Sequence, residues 1–137
     1  MKKVKIPKNI PIKKIHDFFK KKGLTKLIKL STNETSDVNT LIEKNPYQPD
    51  LKDLYRLYQF VYLNKRTTIL EFGSGWSSLV LSLALNDLKK IFSHDVKKLR
   101  RNNPFEIFIL ENERKFLNIT KKRFLKFKKI EIKKNYF

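Results

Sequence analysis

The chain contains no cysteine and few histidines, and each shortage excludes a class of site. With no cysteine among its 137 residues, disulfide bonds, cysteine-ligated zinc and thiol catalysis are excluded. The two histidines, His16 and His94, show no metal-ligand spacing, so no metal site is expected. No apolar run is long enough to span a bilayer, and no signal-peptide pattern follows the basic amino terminus. We therefore expect a soluble, cytoplasmic protein without a transmembrane segment.

Acidic residues are scarce at both ends of the chain. The net charge is +19, and it arises from residues 1–30, with eleven basic residues and one acid, and from residues 114–137, with ten and one. The region between them is neutral. A positive surface of this kind attracts nucleic acid or anionic lipid. The alternative is the coding bias of an AT-rich genome, which the small share of arginine, six of 32 basic residues, favours.

Apolar spacing and turn residues predict an alternation of helices and strands. The predicted elements are helices at 12–22, after Asp50, at 77–88 and at 114–127, and strands at 67–72, 105–110 and about 130–132. Gly23 stands where a helix C-terminal glycine would, and Asp50 is a candidate N-cap. The first helix is basic and amphipathic, so it could lie on a membrane, but packing against the rest of the chain is preferred. Residues 91–104 are polar and predict a loop or insertion.

Two of the three glycines directly follow a predicted buried strand. Gly73 and Gly75 permit close backbone approach and positive φ angles. The turn leads into a helix N-terminus, where free amides favour anionic groups. Glu111 closes the next strand, where a carboxylate can accept the two ribose hydroxyl hydrogens of a nucleoside. This arrangement favours a cofactor with an adenosyl group.

The segment Ile69 to Ser77, ILEFGSGWS, resembles motif I of class I S-adenosylmethionine-dependent methyltransferases. The segment 108–113, FILENE, is similar to the acidic end of that family's second strand. The resemblance covers roughly residues 50–137 and implies S-adenosylmethionine as cofactor. It implies that Glu71 organises the methionine end and that Glu111 holds the ribose hydroxyls. Of the candidate residues, Gly73, Ser74 and Gly75 would line the methionine and ribose portion, and Asn112 would lie near the adenine. The candidate cofactor-binding residues are Glu71, Phe72, Gly73, Ser74, Gly75, Trp76, Glu111 and Asn112.

Other interpretations of these residues remain open. A nicotinamide or flavin fold usually has a third glycine where Ser78 stands, and it rarely has an acid where Glu71 stands. A P-loop is excluded because no Gly-Lys-Ser/Thr follows. Glu71 could instead cap the next helix turn, and Trp76 could pack under the turn rather than stack on a ligand. Ser77 and Ser78 are interpreted as helix caps rather than catalytic residues.

The resemblance predicts an α/β, Rossmann-like parallel sheet with only the first three of the family's usual seven strands, preceded by a helical amino-terminal region. The predicted domains are a basic extension, 1–45, and a partial cofactor-binding domain, 46–137. In that family the catalytic groups follow the fourth strand or later, beyond the three strands predicted here, so no catalytic residue is nominated. The methyl acceptor stays open among small molecules, sugars and RNA. An uncovered sheet edge would permit self-association.

The alternative function is a basic module that binds nucleic acid or an anionic surface without catalysis. In that case the glycine turn is only structural, and the basic ends of the chain carry the activity. Such binding weakens steeply as the salt concentration rises.

Overall fold

The computed structural model describes residues 3–31, 48–98 and 104–127. Within these ranges the elements are α1 (Ile12–Lys21), α2 (Thr25–Ser31), α3 (Leu51–Leu63), β1 (Thr68–Phe72), α4 (Trp76–Val96), β2 (Glu106–Leu110) and α5 (Arg114–Lys126). This order confirms the α/β class. The third strand expected near residues 130–132 and the domain boundary expected at residue 45 lie outside the described residues.

Two of the predicted helix ends are confirmed by their hydrogen bonds. Gly23 has a φ of +80° and donates its amide to the Lys20 carbonyl at 2.9 Å, while the Leu24 amide donates to the Phe19 carbonyl at 2.8 Å. This is the pair of bonds that closes a helix with a left-handed glycine. At the start of α3, the Asp50 carboxylate accepts the amides of the second and third residues of the helix, at 2.8 and 3.1 Å.

The amino-terminal helices share one hydrophobic core with α3 and α4. Ile15 and Phe19 of α1 and Leu27 of α2 are buried in that core. The expected packing of α1 against the rest of the chain is therefore confirmed. In α4, every residue from Ser78 to Leu85 is buried, because α3 packs against it together with the sheet and α5. A helix that is enclosed in this way needs apolar residues all round rather than a single stripe.

The strands β1 and β2 pair in parallel, with Thr68 opposite Glu106 and Phe72 opposite Leu110. The Gly73 amide donates to the Leu110 carbonyl at 2.7 Å and continues the ladder into the turn. The expected parallel pairing is confirmed, but the expected burial of β1 holds for only one of its two faces. Ile69 packs on the core, whereas Phe72 is 78% exposed. Within the described ranges, α4 covers one face of the sheet, and no element covers the other.

The helix α4 continues to Val96, so the loop expected from residue 91 is wrong for its first six residues. Ser93, His94 and Asp95 are polar because they lie on the exposed side of the helix, and Val96 returns to the buried side. Polar composition alone did not distinguish a solvated helix end from a loop. Although α4 has 21 residues, none of the helices in the described ranges is apolar enough at that length to cross a bilayer.

Candidate functional site

A turn of three residues, Gly73 to Gly75, joins the end of β1 to the start of α4. Gly73 has a φ of +86°, and a Cβ added there would meet no atom within 4 Å. It therefore needs glycine for its backbone conformation and faces open space. Gly75 is different, because its φ of −177° is extended backbone that any residue adopts. The positive φ that glycine permits is therefore used at Gly73 and not at Gly75.

Glu71 lies beneath this turn. It is the fourth of the five residues of β1, and its Oε1 atom accepts the Ser77 hydroxyl at 2.6 Å. Its Oε2 atom is buried and has no hydrogen-bond partner among the described residues. Burial raises the pKa of the Glu71 carboxyl, although the hydroxyls of Ser77 and Ser78 oppose the shift in part. Glu71 is thus a strand-end acid that holds the first turn of α4 through Ser77, and the Ser78 hydroxyl is a second, weaker donor to the carboxyl.

Glu111 reaches the turn from the neighbouring strand. Its Oε2 atom accepts both the amide and the hydroxyl of Ser74, at 2.8 and 2.9 Å, and its Oε1 atom accepts the Glu113 amide at 2.9 Å. The Glu113 amide, followed by the Ser74 hydroxyl, lowers the pKa of the Glu111 carboxyl. The group is therefore ionised at neutral pH. It links the ends of β1 and β2 and fixes the glycine turn between them.

Serine side chains complete the start of α4. The Gly75 amide donates to Ser78 Oγ at 3.1 Å, which satisfies one of the amides that a helix N-terminus leaves without a partner. The cap predicted at Ser78 is confirmed. Ser77 is not a cap of this kind, because its hydroxyl donates to Glu71.

Trp76, the first residue of α4, lies next to the turn. The guanidinium carbon of Arg123, on α5, lies 4.2 Å from the centroid of the indole ring. Arg123 is half-buried, and that burial lowers the pKa of its guanidinium. The contact joins the first residue of α4 to the last turn of α5, so Trp76 is neither fully packed under the turn nor free in solvent.

The predicted site residues divide into two groups. The structure brings Glu71, the glycine turn, Trp76 and Glu111 together at the carboxyl end of the parallel strands. Phe72 points to the opposite face of the sheet, which no described element covers, and Asn112 is exposed beside Glu111. Phe72 therefore does not line the turn on the Glu71 side, because adjacent residues of a strand point to opposite faces.

Sequence reasoning did not identify the roles of Ser77 and Arg123. The link from Ser77 to Glu71 spans six residues across a turn, a spacing that no simple pattern flags. Arg123 lies far from Trp76 in the chain, next to the buried Phe124, and only the packing of α5 brings the two side chains together. The chain matches no protein-family model, and it has no significant match among curated proteins or solved structures.

Proposed function

We propose that the glycine turn binds S-adenosylmethionine and that the protein is, or is part of, a methyltransferase with a Rossmann-like sheet. The observation that carries this proposal is the convergence of two carboxylates, Glu71 and Glu111, on one turn at the carboxyl end of parallel strands. In open α/β sheets, ligands bind in the crevice outside the carboxyl ends of the strands. The parallel arrangement of β1, α4 and β2 agrees with such a sheet.

Glu71 suits the positively charged part of the cofactor. Its buried Oε2 atom has no partner among the described residues, and a buried carboxylate gains stability when it is paired with a cation. S-Adenosylmethionine carries an ammonium group and a sulfonium group. Either group would pair with Glu71 Oε2, the ammonium group as a hydrogen-bond donor and the sulfonium group as a positive charge. The cofactor would therefore lower the pKa that burial raises, and its affinity would depend on the ionisation of Glu71.

Glu111 and Gly73 suit the nucleoside part. An ionised carboxylate offers about four acceptor positions, and the Ser74 and Glu113 donors use three of those on Glu111. A ribose hydroxyl would take the remaining position or share those of Ser74. The open space at Gly73 leaves room for the ligand to approach the backbone. The site is thus already held in place by hydrogen bonds before a ligand arrives.

The chemistry of transfer needs little from the protein at this turn. The cofactor supplies an activated methyl group, and the chain would bind it and present one face to the acceptor. The acceptor, a small molecule, a sugar or RNA, is not specified by this part of the molecule.

Calorimetric titration with S-adenosylhomocysteine and S-adenosylmethionine tests the proposal. We expect saturable heat for the wild type and a loss of affinity of roughly 10- to 100-fold in Glu111→Ala, because a charge-assisted hydrogen bond is removed. Gly73→Ala should also weaken binding. The matched control is Gly23→Ala, since Gly23 has a similar φ of +80° far along the chain. Both alanine variants should lose about 1–2 kcal/mol of stability, but only Gly73→Ala should lose affinity.

Two outcomes would contradict the proposal. One is the absence of binding heat with folded wild-type protein. The other is an equal affinity in the Gly73→Ala and Gly23→Ala variants, which would make the turn structural only.

A further inference from the structure

The amino-terminal segment lies along the outer side of α3. The Lys5 amide donates to Asn64 Oδ1 and the Asn64 side-chain amide donates to the Lys5 carbonyl, both at 2.8 Å. Further along the segment, the Arg56 guanidinium donates to Asn9 Oδ1 at 2.6 Å. Asn64 and Arg56 are about two helical turns apart. The segment is therefore held at two points and presents a fixed set of side chains to solvent.

Apolar side chains remain uncovered along this line of contact. Ile6 is 82% exposed, and Val4 and Phe60 are also exposed. The Phe60 backbone lies close to the segment, because its carbonyl accepts, at 2.9 Å, the Asn64 side-chain amide that also binds Lys5. Folding leaves these groups in water, whereas the opposite side of α3 is buried against the core. Apolar side chains that are held at the surface among lysines suit a contact with another surface.

The same segment is rich in positive charge. Lys3, Lys5 and Lys8 are exposed and alternate with the apolar residues. Their ammonium groups are not matched by acids in the segment, since the first acidic residue of the chain is Asp17. We call the exposed residues Lys3, Val4, Lys5, Ile6, Lys8 and Phe60 the amino-terminal surface.

We propose that the amino-terminal surface docks on anionic lipid bilayers. Lysines pair with acidic head groups as flexible point charges, and aliphatic side chains between them enter the interface between head groups and acyl chains. A nucleic acid would use such a surface less well. Residues 1–31 contain no arginine, whose planar fork suits phosphate and bases, and Phe60 is the one residue of this surface with a ring on which a base stacks. The proposal does not depend on cofactor binding at the glycine turn.

Flotation with vesicles tests this inference. Vesicles of phosphatidylcholine with about 30 mol% phosphatidylserine are compared with vesicles of phosphatidylcholine alone. We expect the full chain to float with the anionic vesicles only. The triple variant Lys3→Gln, Lys5→Gln, Lys8→Gln should bind roughly 100-fold more weakly, given the contribution of each lysine near an anionic surface. Ile6→Ser should bind about 10-fold more weakly.

Matched controls separate this surface from general charge. The triple variant Lys97→Gln, Lys121→Gln, Lys122→Gln removes the same charge from exposed positions elsewhere, and Ile91→Ser changes an isoleucine that is 55% exposed on α4. Both controls should keep binding within about fivefold of the wild type. Equal losses in the controls and the test variants would overturn the proposal, as would a lack of binding to anionic vesicles. Binding to a single-stranded RNA oligonucleotide in place of vesicles, lost in the amino-terminal triple variant, would assign the surface to nucleic acid and also overturn it.

Discussion

Replacing Asp87 with alanine tests whether the amino-terminal helices belong to the same folded unit as the glycine turn. Asp87 lies on α4 and accepts the Tyr58 hydroxyl of α3 at 2.7 Å with its Oδ2 atom. The same oxygen accepts the ammonium group of Lys22, the residue that ends α1. The aspartate side chain is only 14% exposed. One carboxylate therefore joins three helices.

The magnitude follows from what the substitution leaves behind. Tyr58 is buried, so its hydroxyl would lose its acceptor at a cost of about 1–3 kcal/mol. Lys22 is partly exposed and regains water, so its share is about 1 kcal/mol or less. We expect a total loss of about 1–4 kcal/mol, against a typical stability of about 5–15 kcal/mol. The matched control is Asp53→Ala, which removes an exposed partner of Arg56 and should cost under about 1 kcal/mol.

Urea unfolding of both variants measures this difference. Asp87→Ala combined with Tyr58→Phe should lose less stability than the sum of the two single variants, because the hydroxyl that lacks an acceptor is then absent.

The pKa of Asp87 is lowered, because the opposing effect of burial is outweighed by the hydrogen bonds from Lys22 and Tyr58. Its contribution to stability is thus present above the unfolded value of about 3.8 and is lost as the pH falls through the folded pKa. If Asp87→Ala and Asp53→Ala cost the same, the account of this link is wrong.

Three further predictions concern the turn and the sheet. Because burial raises the pKa of Glu71, the affinity for S-adenosylmethionine should rise as the pH rises through that pKa and then level off, and Glu71→Gln should remove the rise in calorimetric titrations. Arg123→Gln should change the fluorescence of Trp76, the only tryptophan, while a matched Lys126→Gln variant should leave it unchanged. Self-association through β1 should appear as concentration-dependent sedimentation that Phe72→Ser reduces, since Phe72 is exposed and no described strand pairs with the second edge of β1. Sedimentation as a monomer at all concentrations would rule it out.

Local signals in the sequence predicted the local structure well. Gly23 and Asp50 marked helix ends because left-handed backbone and side-chain caps depend on single residues. The strand before Gly73 and the helix after Gly75 were also predicted, since their apolar spacing differs. The polar end of α4 was wrongly predicted to be a loop, because exposed helix positions and loops contain the same polar residue types.

The positions of the candidate site residues were predicted in part, but their hydrogen bonds were not. Glu71 and Glu111 were identified from their positions at strand ends, and the structure brings both to the turn. Their bonds to Ser77 and Ser74 depend on side-chain directions that spacing does not encode. Likewise, the exposure of Phe72 depends on which face of the sheet α4 covers. Such tertiary relations were beyond the reach of the sequence patterns.

The most direct test of the proposed cofactor site is an amide NMR titration with S-adenosylhomocysteine. The account predicts saturable shifts of the amides of Gly73, Ser74 and Asn112, together with the indole signal of Trp76, and no comparable shift at Gly23 or Lys5. Shifts that are absent from the turn, or that occur only along the amino-terminal surface, would contradict the claim that this turn binds an adenosyl cofactor.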